Sequence, residues 1–248
     1  IIFAAEAAGV QVAVCHQNRF NAASQALHRA VCDNRFGKIS HAAVTIRWNR
    51  GLSYYQQAAW RGHWASDGGA LMNQCIHGID LLHWLVGSEV RRVYGVCRNR
   101  LHSYIEAEDV GLAVLDFENG VVATVEGSTN IYPKNLEETL CIFGERGTVR
   151  LGGQSAGCIE HWVFADGAPM PQISERIGTV YGNGHAPLYA DMLAAIRQNR
   201  APLVDAREGR AALELVLAIY KSQKEGRAVK LPLPDFSSAN MVGEFLKG

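Results

Sequence analysis

One helical run carries the residues best suited to chemistry. In GGALMNQCIHGIDLLHW, residues 68–84, Asn73 and His77 stand four apart. At about 100° per residue they share one face of a helix. Asp80 follows three residues later, near the same face. An imidazole titrates at about 6.5 and can take a proton at neutral pH, while an amide can orient a hydroxyl group. The plainer alternative is a set of core polar groups with satisfied hydrogen bonds, since each buried polar group without a partner costs about 1–3 kcal/mol. The pair Gly68-Gly69 before the helix lets a backbone or a ligand approach closely. A metal centre from His77, Asp80 and His83 is disfavoured, because His83 lies about 240° around the helix from His77. No metal is expected.

Two further clusters are candidates. HQNRF, residues 16–20, follows the apolar run VQVAVC at 10–15, which reads as a strand. Ligands of open α/β sheets meet the carboxyl ends of strands, which places His16, Gln17, Asn18 and Arg19 within reach of a cofactor or substrate. A solvated loop is the alternative. YYQQAAWRGHW, residues 54–64, surrounds Arg61 with aromatic rings. Such a segment suits a ligand wall, with Arg61 available to a carboxylate or phosphate, or else a loop packing its Trp residues into the core.

The elements that must position these residues follow from pattern and punctuation. Residues 1–9 read as the last turns of a helix stopped by Gly9. Asn21 is placed to cap a helix over 22–34. Residues 39–48 read as a strand, 49–66 as a loop, and 68–86 as a helix closed by Gly87. The period then changes to two, with strands at 89–99, 109–117, 120–130 and 136–143 and a hairpin signal at Asn119-Gly120. GERG at 144–147 is a further turn before TVRL, and 159–164 is one more strand in a loop-rich stretch over 152–184. Two helices, 187–200 and 206–225, precede an extended LPLP tail. The expected fold class is α+β: an open, mainly antiparallel sheet with helices on one face, plus a terminal α/β remnant of a Rossmann domain.

Composition bounds the partners. Among 248 residues, 24 Lys+Arg balance 24 Asp+Glu. A formal charge of zero argues against nucleic-acid binding through bulk charge and against a polybasic membrane surface. No apolar run reaches the roughly 18–20 residues of a membrane span, and the N-terminus lacks the positive start of a signal peptide. Six cysteines include no C-x-x-C pair, which reads as reduced, mostly buried thiols in a cytoplasmic protein.

HQNRFN, WRGHW, GGALMNQCIHGIDLLHWLVG and the closing GHAPLYADMLAAIRQNRAPLVDAREGRAALELVLAIYKS together resemble the Gfo/Idh/MocA oxidoreductases over nearly the whole chain. QNRFN, VTIRWNR, YYQQAAWRG and GALMNQCIHGID are most similar to the branch of UDP-N-acetyl-glucosaminuronate 3-dehydrogenases of surface-polysaccharide synthesis. The resemblance implies NAD(P)-dependent oxidation of a sugar secondary alcohol. It implies residues 1–17 as the end of a dinucleotide-binding domain and 18–248 as a substrate and oligomerisation domain. It makes His77 catalytic, with Asn73, Tyr54, Tyr55 and His185 toward a sugar or nucleotide-sugar substrate. Gln17, Asn18, Arg19, Trp60 and Arg61 lie toward NAD or NADP. It also implies a homo-oligomer built through the open sheet face. The family's Gly-rich phosphate loop and its Glu-Lys-Pro motif are not among these 248 residues. Most of the cofactor site is therefore expected to lie outside them, and the chain as it stands to be inactive. Another carbohydrate or polyol dehydrogenase of this family, or a non-catalytic oligomerisation or binding module, remains open.

Overall fold

The computed structural model describes residues 1–153, 155–173 and 181–245. Helix α1 (Ile2–Ala8) stops at Gly9, whose φ of 63° is the left-handed C-cap the sequence signals. The strand expected at 10–15 is not made. That segment forms one isolated antiparallel bridge, Ala13 to Asp205, and the Val14 amide donates to the Val204 carbonyl at 2.9 Å. Its backbone pairs with the loop that opens a later helix rather than with a sheet, so no ladder builds. A 3-10 turn (Gln17–Phe20) leads into α2 (Ala22–Cys32). Asn21 stands at the N-cap position, but its side chain does not bond the helix; its Oδ1 accepts from the Asn183 amide at 3.1 Å. The cap is spent on tying in the far loop.

Strand β1 (Ile39–Arg47) and the short helix α3 (Leu52–Tyr55) precede the helix of interest. That helix opens as a π-helical turn, Leu71–Cys75, before becoming α4 (Ile76–Val86), closed by Gly87 at φ 64°. Strands β2 (Val90–Arg98), β3 (Val110–Phe117), β4 (Val122–Ser128), β5 (Glu137–Gly144), β6 (Gly147–Gly152) and β7 (Cys158–Phe164) follow where the period-two pattern places them. Then come α5 (His185–Gln198), α6 (Ala206–Glu225) and a two-residue edge strand, β8 (Val229–Lys230). The expectation of loop over 152–184 falls partly on residues 174–180, outside the described residues.

All the strands form one open sheet, ordered β7-β6-β5-β1-β4-β3-β2-β8. Among the described residues only β1 and β4 run parallel; every other neighbouring pair is antiparallel. Helices α2, α4 and α6 cover one face. Alternation explains the sidedness: Val93, Ala113, Leu115, Val125, Val44 and Ile142 turn inward, while Tyr94, Leu112, Val114 and Val122 turn out and stay about half exposed. Among α4 residues, Ile79, Leu81, Leu82 and Leu85 are fully buried. At about 1.5–3 kcal/mol for each such side chain, α4 is fixed firmly, and any polar group it carries must find a partner inside.

All six cysteines are free, but their burial departs from expectation. Only Cys75 and Cys97 are buried, while Cys15, Cys32 and Cys158 are exposed. The exposed three sit at element ends, before the 3-10 turn, at the last residue of α2 and at the start of outermost β7, where no second layer covers them.

The glycine pair before α4 serves the first of the two uses the sequence offers. A Cβ on Gly69 would lie 2.1 Å from the Glu108 carbonyl oxygen, so it is backbone that comes close. That contact lets the Ala70 amide donate to the Glu108 carbonyl at 2.9 Å and the Leu71 amide donate to Glu108 Oε1 at 2.8 Å, pinning the start of the helix. Gly69→Ala should therefore push the helix off Glu108 and destabilise the fold by about 3 kcal/mol, the upper end for overpacking. Thermal denaturation measures this; a melting temperature within a degree of wild type would contradict the contact.

Candidate active site

A cleft with an empty volume of about 770 Å³, open mouth included, lies where the π turn, the 3-10 turn and the 48–61 segment meet. His77, Asn73, Tyr54, Trp60, Arg61, Gln17 and Asn18 line it, so seven residues singled out from sequence come together. Asn73 and His77 share the cleft despite the π turn, whose wider register departs from the 100° spacing assumed above. Four lining residues hold a buried polar atom with no protein partner: Asn18 Oδ1, Trp48 Nε1, Arg61 Nε and Glu138 Oε2. Such atoms are costly unless something polar meets them.

His77 is held from behind. Its Nδ1 lies 3.3 Å from His16 Nδ1, with the rings edge to face. His16 Nε2 lies 3.7 Å from Asp80 Oδ1. Asp80 in turn accepts two hydrogen bonds from Arg19, from Nε at 2.8 Å and Nη2 at 2.7 Å, and Arg19 Nη1 donates to Glu208 on α6 at 2.7 Å. Burial opposes the Arg19 charge, but the hydrogen bonds and charges of Asp80 and Glu208 outweigh it and raise its pKa. Burial, then the neighbouring His16, lower His77 to about 4; burial, then Arg19, lower His16 to about 4. The expectation of an imidazole titrating near neutrality is thus replaced by one that is neutral well into the acid range.

The cleft is also lined by cations stacked on rings. The Arg61 guanidinium sits 3.9 Å from the Tyr54 ring centroid, and Arg50 lies 4.9 Å from Trp48 and 5.2 Å from Tyr54. Burial lowers the Arg50 pKa. The 54–64 segment does both things the sequence allowed: Trp64 is fully buried in the core, and Trp60 stays at the lip of the cleft. Asn73 is already well engaged. Its Oδ1 accepts from Tyr54 Oη at 2.8 Å and from Gln74, and its Nδ2 donates to Asp67 Oδ1 at 2.6 Å. That leaves one N–H for a ligand.

Three expected residues lie off the cleft wall. Arg19, 1% exposed, is committed to Asp80 and Glu208. Tyr55 donates toward Thr129 Oγ1 at 3.4 Å and packs near His102 and Tyr104, with its pKa raised by burial to about 12. His185 begins α5, close enough for its charge to bear on His77. A Cβ on Gly184 would strike the Gln17 carbonyl at 1.8 Å, and that approach seats α5 on the 3-10 turn. Trp48, Arg50, Gln74, Glu138 and Tyr181 line the cleft without having been anticipated. Arg50 carried a legible signal, a cation two residues after Trp48 at the end of a strand; Glu138 carried none. Its carboxyl is fully buried on β5, receives Asn18 Nδ2 at 3.3 Å, and is pushed by burial to about 8. Among the described residues no three His, Cys, Asp or Glu side chains gather for a metal, and no helix is long and apolar enough to cross a membrane.

An open sheet covered by helices on one face, with a polar cleft at the head of a buried helix, defines an α+β domain with a candidate ligand cleft. Residues 24–150 match the family model described as the GFO/IDH/MocA C-terminal domain, and the chain belongs to the Gfo/Idh/MocA oxidoreductase family. Among solved structures it is similar to the WlbA dehydrogenase from Bordetella pertussis in complex with NADH and UDP-GlcNAcA: 39% identical, TM-score 0.84, covering 94% of this chain and 68% of that one. It is 38% identical to the WlbA dehydrogenase from Chromobacterium violaceum in complex with the same two molecules, TM-score 0.83, covering 94% and 66%. D-apiose dehydrogenase of Paraburkholderia graminis is 26% identical over 242 residues, 93% of this chain; the chain spans 62% of that relative's length.

The buried acids set the pH response of the fold. Glu108 and Glu138, both raised by burial to about 8, keep protons in the folded chain that the unfolded chain releases above about 4.5. Their contribution is full below that value and is lost as pH rises toward 8. His16 and His77 act oppositely: around and below 6.5 the unfolded chain takes up protons that the folded chain refuses down to about 4, and His28 and His102, also lowered by burial, add to this. Between about pH 7 and 8 the acids outweigh the histidines. Stability should fall across that interval with a slope of roughly one proton, about 1.4 kcal/mol per pH unit. Glu138→Gln should remove most of the slope in urea titrations at a series of pH values. A slope unchanged by the substitution would show that Glu138 is ionised when folded.

Proposed function

We propose that this chain is the substrate-holding part of an NAD(P)-dependent dehydrogenase that oxidises a secondary alcohol of a nucleotide sugar, the 3-hydroxyl of a UDP-N-acetyl-glucosaminuronate. Residues 1–17 belong on the dinucleotide side and 18–248 on the substrate side. The observation that carries this reading is one cleft uniting a neutral imidazole, a stacked cation pair and four unpartnered buried polar atoms. It is supported by 39% identity, over 94% of the chain, to a dehydrogenase crystallised with UDP-GlcNAcA. Setting in surface-polysaccharide synthesis and in the cytoplasm belongs to the same reading.

His77 takes the hydroxyl proton as the carbinol carbon gives up its hydride. Asn73 directs its remaining N–H at a sugar oxygen. Arg50, dry on its ring-stacked face, meets the negative charge of the diphosphate or the uronate. The cofactor fits the residues present: Asn18 Oδ1 is buried without a partner, beside Gln17 and facing the His77 cleft. Gln17, Asn18, Trp60 and Arg61 would hold it at the nicotinamide end. The bound nicotinamide, NAD or NADP, supplies the hydride acceptor.

In the natural full-length protein, His77→Ala should lower kcat by about 10²–10⁴-fold with little change in KM, as loss of a general base does. Asn73→Ala should chiefly raise KM. His83, which faces a separate surface hollow with Glu89 and Val90, should tolerate Gln. The wild-type rate should hold from neutrality downward and fail only as pH drops through about 4, where His77 gains its proton. Steady-state oxidation of UDP-GlcNAcA against free sugars checks both substrate and base. A normal kcat in His77→Ala would remove the base assignment, and turnover of free sugars alone would remove the nucleotide sugar.

The open sheet face is proposed as the surface where a second copy docks. Tyr94, Val114 and Thr124 lie side by side across β2, β3 and β4, with Leu112 and Val122 beside them. A large exposed apolar patch of this kind marks an interaction surface. Toward β5 the same face is instead laced by Arg47, Glu126, Glu137 and Arg150. Sedimentation should show a dimer or larger at micromolar concentration, and Val114→Glu should dissociate it. A monodisperse wild-type monomer would contradict the docking.

A further inference from the structure

The choice of ring nitrogen on His77 decides whether it can be a base at all. A neutral imidazole has one N–H and one lone pair, and the partner of one nitrogen sets the state of the other. His77 Nδ1 faces His16 Nδ1 at 3.3 Å. Exactly one proton can sit between them. If it belongs to His16, His77 Nδ1 accepts it, and His77 Nε2 carries an N–H into the cleft and has no lone pair for a substrate proton. If it belongs to His77, the Nε2 lone pair faces the cleft.

The third group in the row settles the matter. His16 Nε2 points at Asp80 Oδ1 from 3.7 Å. Asp80 is 1% exposed and receives both Nε and Nη2 of Arg19, an arrangement that requires acceptor oxygens on both sides of a carboxylate. A lone pair on His16 Nε2 would confront that carboxylate where both side chains are almost closed to solvent. The proton on His16 therefore sits on Nε2, its Nδ1 is left as acceptor, and His77 Nδ1 must donate. We infer that His16 is a positioning residue that fixes His77 in the tautomer with a bare Nε2 facing the cleft, by passing the orientation of the Arg19-held Asp80 carboxylate through its own ring.

The inference rests on the reading of His77 as the base. The groups facing this row are Asp80 and His77 on α4, Arg19 on the 3-10 turn, Glu208 on α6 and His185 on α5. Both imidazoles are neutral near pH 7, which leaves tautomer as the only variable there. Among the described residues, the hydrogen bond given to the His77 ring is the one to His16.

The direct test needs no variant. Long-range 15N–1H correlation of the histidine rings of this chain, at neutral pH, should show His77 protonated on Nδ1 and His16 on Nε2. His77 protonated on Nε2 would overturn the proposal. In His16→Phe, which keeps a ring of similar bulk without nitrogens, His77 should shift toward the Nε2–H form. In the natural full-length protein kcat should drop by about 10²-fold with KM within about twofold, since an imidazole base held in the wrong tautomer loses up to about 10⁴-fold. His16→Gln, whose amide oxygen can accept from His77 Nδ1, should restore the tautomer and most of the rate. Unchanged tautomer and kcat in His16→Phe would overturn the proposal, and if that variant does not fold, the wild-type spectrum and His16→Gln still decide it. A normal rate in His77→Ala would defeat the base reading alone, because the ring spectrum answers the tautomer question independently.

Discussion

The ion pair between Arg19 and Asp80 is the constraint on which the cleft depends. Both side chains are 1% exposed and joined by two short hydrogen bonds. Removing Arg19 would strand the buried Asp80 carboxylate, a loss of about 3–5 kcal/mol. Because Arg19 follows the apolar 10–15 segment and Asp80 lies inside α4, the pair clamps the beginning of the chain to the helix carrying His77. Glu208 extends the clamp to α6. Three elements distant in sequence are thereby brought to one point, and Gln17 and Asn18 arrive at the cleft, with His16 behind His77, because Arg19 is tied down next to them.

This arrangement explains what could and could not be read from the sequence. The strands from 90 to 164 were legible because one face is packed and the other is not, which forces the alternation that reveals them. Gly9 and Gly87 announced helix ends because their left-handed backbone suits glycine. The fold class followed from those signals. Residues 10–15 look like a strand because they are apolar, but a strand is defined by its neighbour, and the neighbour here is a loop. The π turn at Leu71–Cys75 left no mark because apolar spacing tolerates one extra residue in a turn.

The site was legible in residue type more than in role. His77 and Asn73 stood out as polar groups on an apolar helix, and the cleft does gather them. Arg19 stood beside Gln17 and Asn18 with equal prominence, yet its charge is consumed internally. A sequence gives no way to tell a cation that meets a ligand from one that meets Asp80, because the distinction lies in a partner 61 positions away. Glu138 was invisible for the same reason: only the closed fold shows that a strand carboxyl is walled in beside Asn18 with one oxygen unpaired.

The parallel pairing of β1 with β4 constrains how the chain can assemble. Strands β2, β3 and β4 form a meander by near-neighbour hairpins, and β5, β6 and β7 form another. β1 enters the sheet between them, although it precedes both in the chain. Its two partnerships close long loops, and contacts of that kind form slowly relative to hairpins. Two preformed half-sheets joined by a late central strand would bring α4, which lies in the loop that β1 closes, onto the sheet in the same event. Assembly of the cleft and completion of the sheet would then be a single kinetic step, so that a chain whose sheet had not yet closed would hold no half-built site.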